Sequence, residues 1–265
     1  MAILMRLLGF GAIAYLAVLT VLFVFQSRLI YPAPQTQSAL PKGFEEVVIA
    51  TGDGLHLRSF YRAAVTGQPT LVYFHGNSGT LAGAKVATEP FAEAGVGLLL
   101  LEYRGYAGHG GEPGEEGFYR DGDAAMAWLQ RQGVAADLTI IRGNSLGTGV
   151  AAEMALRHQP AALILTAPFA SLPDVAADKL PLFPVRLLMR DTFDNAAKLP
   201  KLSMPILIQH GTADQVVPFE QGLAVSRTNP AIEFQRYERS GHGLAFERVS
   251  GEARVQWVRG LGLGS

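Results

Sequence analysis

The chain contains no cysteine. That absence excludes a thiolate nucleophile, a disulfide framework and any cysteine-ligated metal or iron–sulfur centre, so covalent chemistry would need another nucleophile. Charge is also sparse. Asp, Glu, Lys and Arg make up 17% of the 265 residues, and 22 basic against 23 acidic side chains leave a formal charge of -1. A nucleic-acid partner, which favours a basic surplus, is therefore not expected. The phosphate-cradling pattern G-x-x-x-x-G-K-[ST] is missing, as is G-x-G-x-x-G with an acidic residue about 20 positions on, so no nucleotide cofactor is expected. Nor is there an internal repeat or a low-complexity tract. Apolar residues are abundant: 49% of residues are hydrophobic and 30 are glycine, which rules out disorder, and a length of 265 residues makes one folded domain the default.

Residues 7–25 form an uninterrupted run without charge, LLGFGAIAYLAVLTVLFVF. At about 1.5 Å per helical residue it is long enough to cross a hydrocarbon core of about 30 Å. The run ends in Phe23-Val24-Phe25-Gln26-Ser27-Arg28, with no small-residue cleavage site of the secretory kind. An uncleaved signal anchor over residues 1–30 is expected, giving a single-pass membrane protein. The flanking charges, the amino terminus and Arg6 on one side and Arg28 and Lys42 on the other, do not set which side the remainder faces.

After a proline-punctuated linker that opens Tyr31-Pro32-Ala33-Pro34, strand-like and helix-like patterns alternate through residues 31–265, the order of an α/β fold. Short apolar or alternating runs at 45–50, 55–62, 70–74, 96–102, 138–142, 162–166, 205–209 and 232–237 predict eight strands, the first two antiparallel. Helical patterns at 81–94, 117–132, 147–157, 219–227 and 244–261 predict a mostly parallel, doubly wound sheet. Residues 168–202, rich in Pro, Leu and Phe, are longer than an ordinary connection and predict a functional loop or short cap. Leu180, Leu182, Phe183, Val185, Leu187, Leu188, Met189 and Phe193 are expected to lie over the site and line an acyl pocket.

Gly143-Asn144-Ser145-Leu146-Gly147 fits G-x-S-x-G between a strand and a helix. A turn that tight needs neighbours without side chains, and it leaves the serine hydroxyl at the head of a helix whose N–H dipoles favour developing negative charge. A serine hydroxyl is a weak nucleophile and needs a base, with a third group to orient that base. Of six histidines, His242, flanked by glycines after the last strand, is the candidate base, and Asp214 after the penultimate strand is the candidate orienter. Ser145, Asp214 and His242 follow the chain order of the α/β-hydrolase triad. The backbone N–H groups of Leu146 and of Asn77, in Phe74-His75-Gly76-Asn77, are the candidate oxyanion donors. His75 is expected to brace that loop and His210 to pack at a strand end, while His56 and His158 are expected to be structural or exposed and His109 to lie in a glycine loop. A metal at His210 and Asp214 would lack a third and fourth ligand of suitable spacing.

The chain resembles the α/β-hydrolase superfamily, and within it the small serine hydrolases held by one N-terminal hydrophobic anchor. The resemblance covers about residues 29–261 and is carried by Leu29-Ile30-Tyr31-Pro32, His75-Gly76-Asn77, Glu102-Tyr103-Arg104-Gly105-Tyr106, the Ser145 pentapeptide, Ser171-Leu172-Pro173-Asp174-Val175, His210-Gly211-Thr212-Ala213-Asp214 and Gly241-His242. It implies Ser145 as nucleophile, Asp214 as orienter, His242 as base, and Asn77 and Leu146 as oxyanion donors. It also implies hydrolysis of a small-molecule ester or thioester, without choosing the acyl group; from the missing ligand and nucleotide motifs, no metal or other cofactor is expected. Two departures bear on the substrate side: Ala107-Gly108-His109 stands where relatives often have Gly-x-Ser, and His242-Gly243 replaces His-Asn. The competing readings are an amidase or peptidase of the same fold and a non-catalytic, membrane-tethered binding protein.

Overall fold

A computed structural model describes residues 1–264. Eight strands, β1 (Glu45–Ala50), β2 (His56–Arg62), β3 (Thr70–Phe74), β4 (Gly97–Leu100), β5 (Thr139–Asn144), β6 (Ala162–Thr166), β7 (Ile206–Gly211) and β8 (Ile232–Tyr237), form one sheet in the order β1-β2-β4-β3-β5-β6-β7-β8. β1 and β2 run antiparallel to their neighbours, and every pairing from β4 to β8 is parallel. β3, β4, β5, β6 and β7 are buried along their whole length. Parallel strands covered on both faces call for such continuous apolar runs.

Adjacent residues of the central strands enter opposite faces. Val72, Phe74, Ile141, Leu163, Leu165 and Ile208 join one core, which includes Phe118, Leu129, Val150 and Met154. Leu71, Tyr73, Ile140, Ile164 and Leu207 join the other, which includes Ala84, Phe91, Val255 and Val258. The first core is thus covered by α3 (Glu115–Arg131) and α4 (Gly147–His158), the second by α2 (Leu81–Glu93) and α9 (Arg248–Gly260). Each large side chain so buried contributes about 1.5–3 kcal/mol. α8 (Phe219–Ser226) connects β7 to β8, and a 3₁₀ turn over His242–Phe246 precedes α9, where the sequence pattern predicts continuous helix from residue 244. β3 is flanked by β4 on one side and β5 on the other, so the connections leaving β3 and β5 diverge and open a crevice at their carboxyl ends.

α1 (Ala2–Ile30) is a single helix, long and apolar enough to cross a membrane. It does not stand apart from the rest of the chain. The interval after β6 folds into three short helices, α5 (Leu172–Lys179), α6 (Val185–Leu188) and α7 (Asn195–Lys198), and the middle of it lies against α1. The Tyr15 ring stacks on Phe183 at 5.7 Å and its hydroxyl donates to Leu182 O at 2.9 Å. Nearer the helix end, Gln26 donates to Leu188 O and accepts from Arg190 N–H at 2.9 Å.

Candidate active site

The turn after β5 is the sharpest feature of the sheet's carboxyl edge. Ser145 adopts a left-handed conformation, φ +52°, which is rare for a residue with a side chain and is a place where backbone strain is held. Its neighbours explain how the turn can form. A methyl group on Gly147 would lie 2.1 Å from Phe74 O, and one on Gly143 would lie 2.4 Å from Gly147 O. Ser145 N–H donates to Thr166 O at 2.9 Å, while Ser145 O accepts from Thr148 N–H at 2.9 Å and from the Thr148 hydroxyl at 2.6 Å.

The structure brings Ser145, His242 and Asp214 into one hydrogen-bonded chain, although 97 residues separate the first pair. His242 Nε2 lies 3.0 Å from Ser145 Oγ and His242 Nδ1 lies 2.8 Å from Asp214 Oδ2. The Asp214 side chain is fully buried and that of His242 is 27% exposed. Asp214 Oδ1 accepts from Val216 N–H at 2.8 Å and from Val217 N–H at 2.9 Å. Burial pushes the Asp214 carboxyl up, but the contacts from His210 and His242 and the Val217 N–H outweigh it, and the group is held well below the usual carboxylate range. His210 therefore does more than pack at a strand end: it is completely buried, bonds Val217 O at 3.0 Å and sits 3.6 Å from Asp214 Oδ2.

Opposite Ser145 stands the loop after β3, so close that a methyl on Gly76 would lie 3.4 Å from Ser145 Cβ. Asn77 is held from both sides: its carbonyl accepts from the Tyr106 hydroxyl at 2.6 Å and its side-chain amide donates to Ile30 O at 3.0 Å. His75 braces the loop from beneath, bonding Glu102 Oε1 at 2.9 Å and Gly76 O at 2.8 Å. Tyr103 and Tyr106 pack their rings on His75, and burial raises both phenols well above their ordinary range. A cavity of about 230 Å³ opens here, lined by residues that include Asn77, Ser78, Ser145, Val216, His242 and Phe246.

None of the apolar residues at positions 180–193 lines that cavity, which corrects the expectation drawn from the cap. Leu180, Phe183, Val185, Leu188 and Met189 line an apolar cavity against α1, Leu182 and Leu187 are exposed, and Phe193 packs under α4, where a methyl on Gly149 would lie 2.5 Å from its Cβ. The remaining histidines lie away from the triad: His109 accepts from Arg58 N–H at 2.9 Å, His158 bonds Asp123 at 2.8 Å and His56 is exposed at the start of β2. Two residues without a sequence signature do reach the site. Arg142 and Arg254, both buried, donate to Ala245 O at 3.4 and 3.0 Å and so grip the turn that begins at His242. Arg142 precedes the Ser145 turn by three residues, but nothing in its neighbourhood announces a partner near residue 245.

With this geometry the chain belongs to the α/β-hydrolase superfamily. No protein-family model matches it. It is 35% identical over 209 residues to an uncharacterized protein of Mycobacterium tuberculosis, covering 76% of this chain and 74% of that one. It is 32% identical over 190 residues to human alpha/beta hydrolase domain-containing protein 17B, covering 69% of this chain and 63% of the relative. Among solved structures, an esterase of Pyrococcus furiosus superposes with a TM-score of 0.71 at 14% identity, covering 88% of this chain and 98% of that chain. A thermophilic esterase from Thermogutta terrifontis gives 0.63 at 21% identity, covering 82% and 99%. At those identities the structural likeness speaks for the fold.

Proposed function

We propose that the protein is a serine hydrolase that cleaves carboxylic ester or thioester bonds of small acylated or lipid-like molecules while held at a bilayer by α1. The reading rests on the hydrogen-bonded chain from Ser145 through His242 to Asp214 at a left-handed strand-to-helix turn. Its named relatives and structural neighbours, hydrolases and esterases, favour the same chemistry.

In the first half-reaction His242 Nε2 takes the Ser145 proton as Oγ bonds the acyl carbon, and the carbonyl electrons move onto oxygen. The resulting oxyanion is met by the N–H groups of Asn77 and Leu146. Collapse expels the alcohol or thiol, which leaves with the proton from His242. Water then attacks the acyl-enzyme with His242 again as base, releasing the acid and restoring Ser145. Asp214, ionised and buried, holds Nδ1–H and stabilises the transient imidazolium. A fluorophosphonate probe should label the wild-type protein and leave Ser145→Ala unlabelled and inactive toward p-nitrophenyl esters, with circular dichroism unchanged. Retention of labelling and turnover by the folded variant would sink the assignment.

A further inference from the structure

Only part of α1 projects beyond the rest of the molecule. Residues 180–188, Leu-Pro-Leu-Phe-Pro-Val-Arg-Leu-Leu, run beside it from Gln26 up to Tyr15. If that segment stayed in water, α1 would have about 14 residues left for the bilayer, roughly 21 Å at 1.5 Å per residue. The hydrocarbon core is about 30 Å thick, and tilting the helix only shortens its reach. Arg6 and Arg28, by contrast, are 22 positions apart, about 33 Å, which brackets the core but draws the level of Tyr15 into it.

The segment is built for such a place. Leu182 and Leu187 are 81% and 85% exposed on its outer side, while Phe183 and Val185 face an apolar cavity of about 110 Å³ shared with Leu22 and Phe23 of α1. Backbone at membrane depth must find its partners within the protein, and here much of it does. Pro181 and Pro184 carry no N–H. The N–H groups of Leu180, Phe183, Val185 and Leu187 have acceptors inside the interval, and the carbonyls of Leu182 and Leu188 accept from Tyr15 and Gln26. The one charge in the segment, Arg186, is paired with Asp174 at 2.7 Å, and its long stem lets the head reach toward water. At the end of α1, Arg28 and Arg190 line a cavity of about 540 Å³ together with Glu112, and their guanidiniums lie over the Phe25 and Phe23 rings at 5.8 and 4.6 Å, a placement suited to the interface between hydrocarbon and headgroups.

We infer that residues 180–188 are immersed in the bilayer beside α1, so that the protein meets lipid with two elements instead of one. The inference rests on the reading of α1 as membrane-spanning. Because the chain has no cysteine, single labels can be placed without altering it further. Leu182→Cys, Leu187→Cys, Val18→Cys in α1 and Gln130→Cys on the exposed surface of α3 would each carry an environment-sensitive fluorophore in the full-length protein, reconstituted in phosphatidylcholine–phosphatidylglycerol vesicles. Fluorophosphonate labelling of each variant confirms that it is folded. Labels at 182 and 187 should be quenched at least twofold by nitroxide-bearing lipid and shielded from an aqueous quencher, as at Val18 and opposite to Gln130. If 182 and 187 instead follow Gln130 while Val18 follows lipid, the inference is wrong and the anchor stands. If Val18 itself follows water, the anchor reading fails and takes the inference with it.

Discussion

Asp214 is the residue on which most of the site's electrostatics converge. Four groups approach it, His242, His210 and the N–H groups of Val216 and Val217, and together they hold its carboxyl well below the usual range despite burial. A carboxyl with a depressed value in the folded state adds stability that is fully present above the unfolded value of about 3.9 and is lost as pH falls through the lower folded value. Melting in detergent should therefore drop between pH 5 and pH 2, and Asp214→Asn should flatten that drop. The same substitution should lower kcat by about 10⁴-fold, because the amide cannot hold the imidazole in the required tautomer. An acid limb of equal depth in the variant would mean that other carboxyls control acid stability. Gly222 tests the support behind Asp214: a methyl there would lie 2.0 Å from His210 Nδ1. Gly222→Ala should push His210 off Asp214 and reduce kcat and melting temperature together. Wild-type values of both would show that His210 lends Asp214 no support.

At the scale of elements, the turn over His242–Phe246 has no strand partner, and its carbonyl at Ala245 is held by two buried cations from distant parts of the chain. Burial lowers the guanidinium values of both, and each cation is an unfavourable neighbour for the other, as Arg142 does to Arg254. Arg142→Met or Arg254→Met alone leaves one donor on Ala245 O and relieves that repulsion. Both together strand the carbonyl. A double-mutant cycle on kcat should show coupling of about 0.5–3 kcal/mol with KM little changed, as expected for residues that position His242 without touching substrate. Strict additivity would mean that the two arginines serve packing alone. The strands, the helices α2, α3, α4, α8 and α9, and the chain order of Ser145, Asp214 and His242 were legible from local pattern: apolar runs for β3 to β7, glycines around Ser145, a polar turn after β7; the short helices α5 to α7 were not. Nor were the Arg142–Arg254 grip and the identity of Glu102 as the partner of the bracing His75, since each joins residues whose neighbourhoods say nothing of the partner. The run Leu180-Pro181-Leu182-Phe183 reads the same whether it lines a pocket or meets a helix, and only the length of α1 beside it decides.

For the molecule as a whole, the end of the long apolar helix α1 and the candidate site are joined through one hydrogen bond. Ile30, the last residue of α1, accepts from the Asn77 side chain, and the next residue, Tyr31, is buried with its hydroxyl on Asp191 and its ring edge against Phe118. Phe118 in turn stacks on Tyr103, beneath His75 and the Asn77 loop. Two truncations therefore separate anchoring from support. Removing residues 1–24 takes away most of the apolar run of α1 but keeps Ile30 and Tyr31, and esterase turnover of a water-soluble substrate such as p-nitrophenyl acetate should be retained within about twofold in detergent. Removing residues 1–34 also deletes the Ile30 carbonyl and the Tyr31 ring. A lost hydrogen bond to a loop and a lost buried aromatic cost about 1 and about 3–5 kcal/mol respectively. The shorter protein should melt well below the longer one and lose at least tenfold in kcat, as the Asn77 N–H drifts from the oxyanion position. Both truncations uncover Val185 and Phe183, so each should need detergent to stay monomeric. Equal kcat and equal melting temperature in the two proteins would show that the end of α1 does not shape the site.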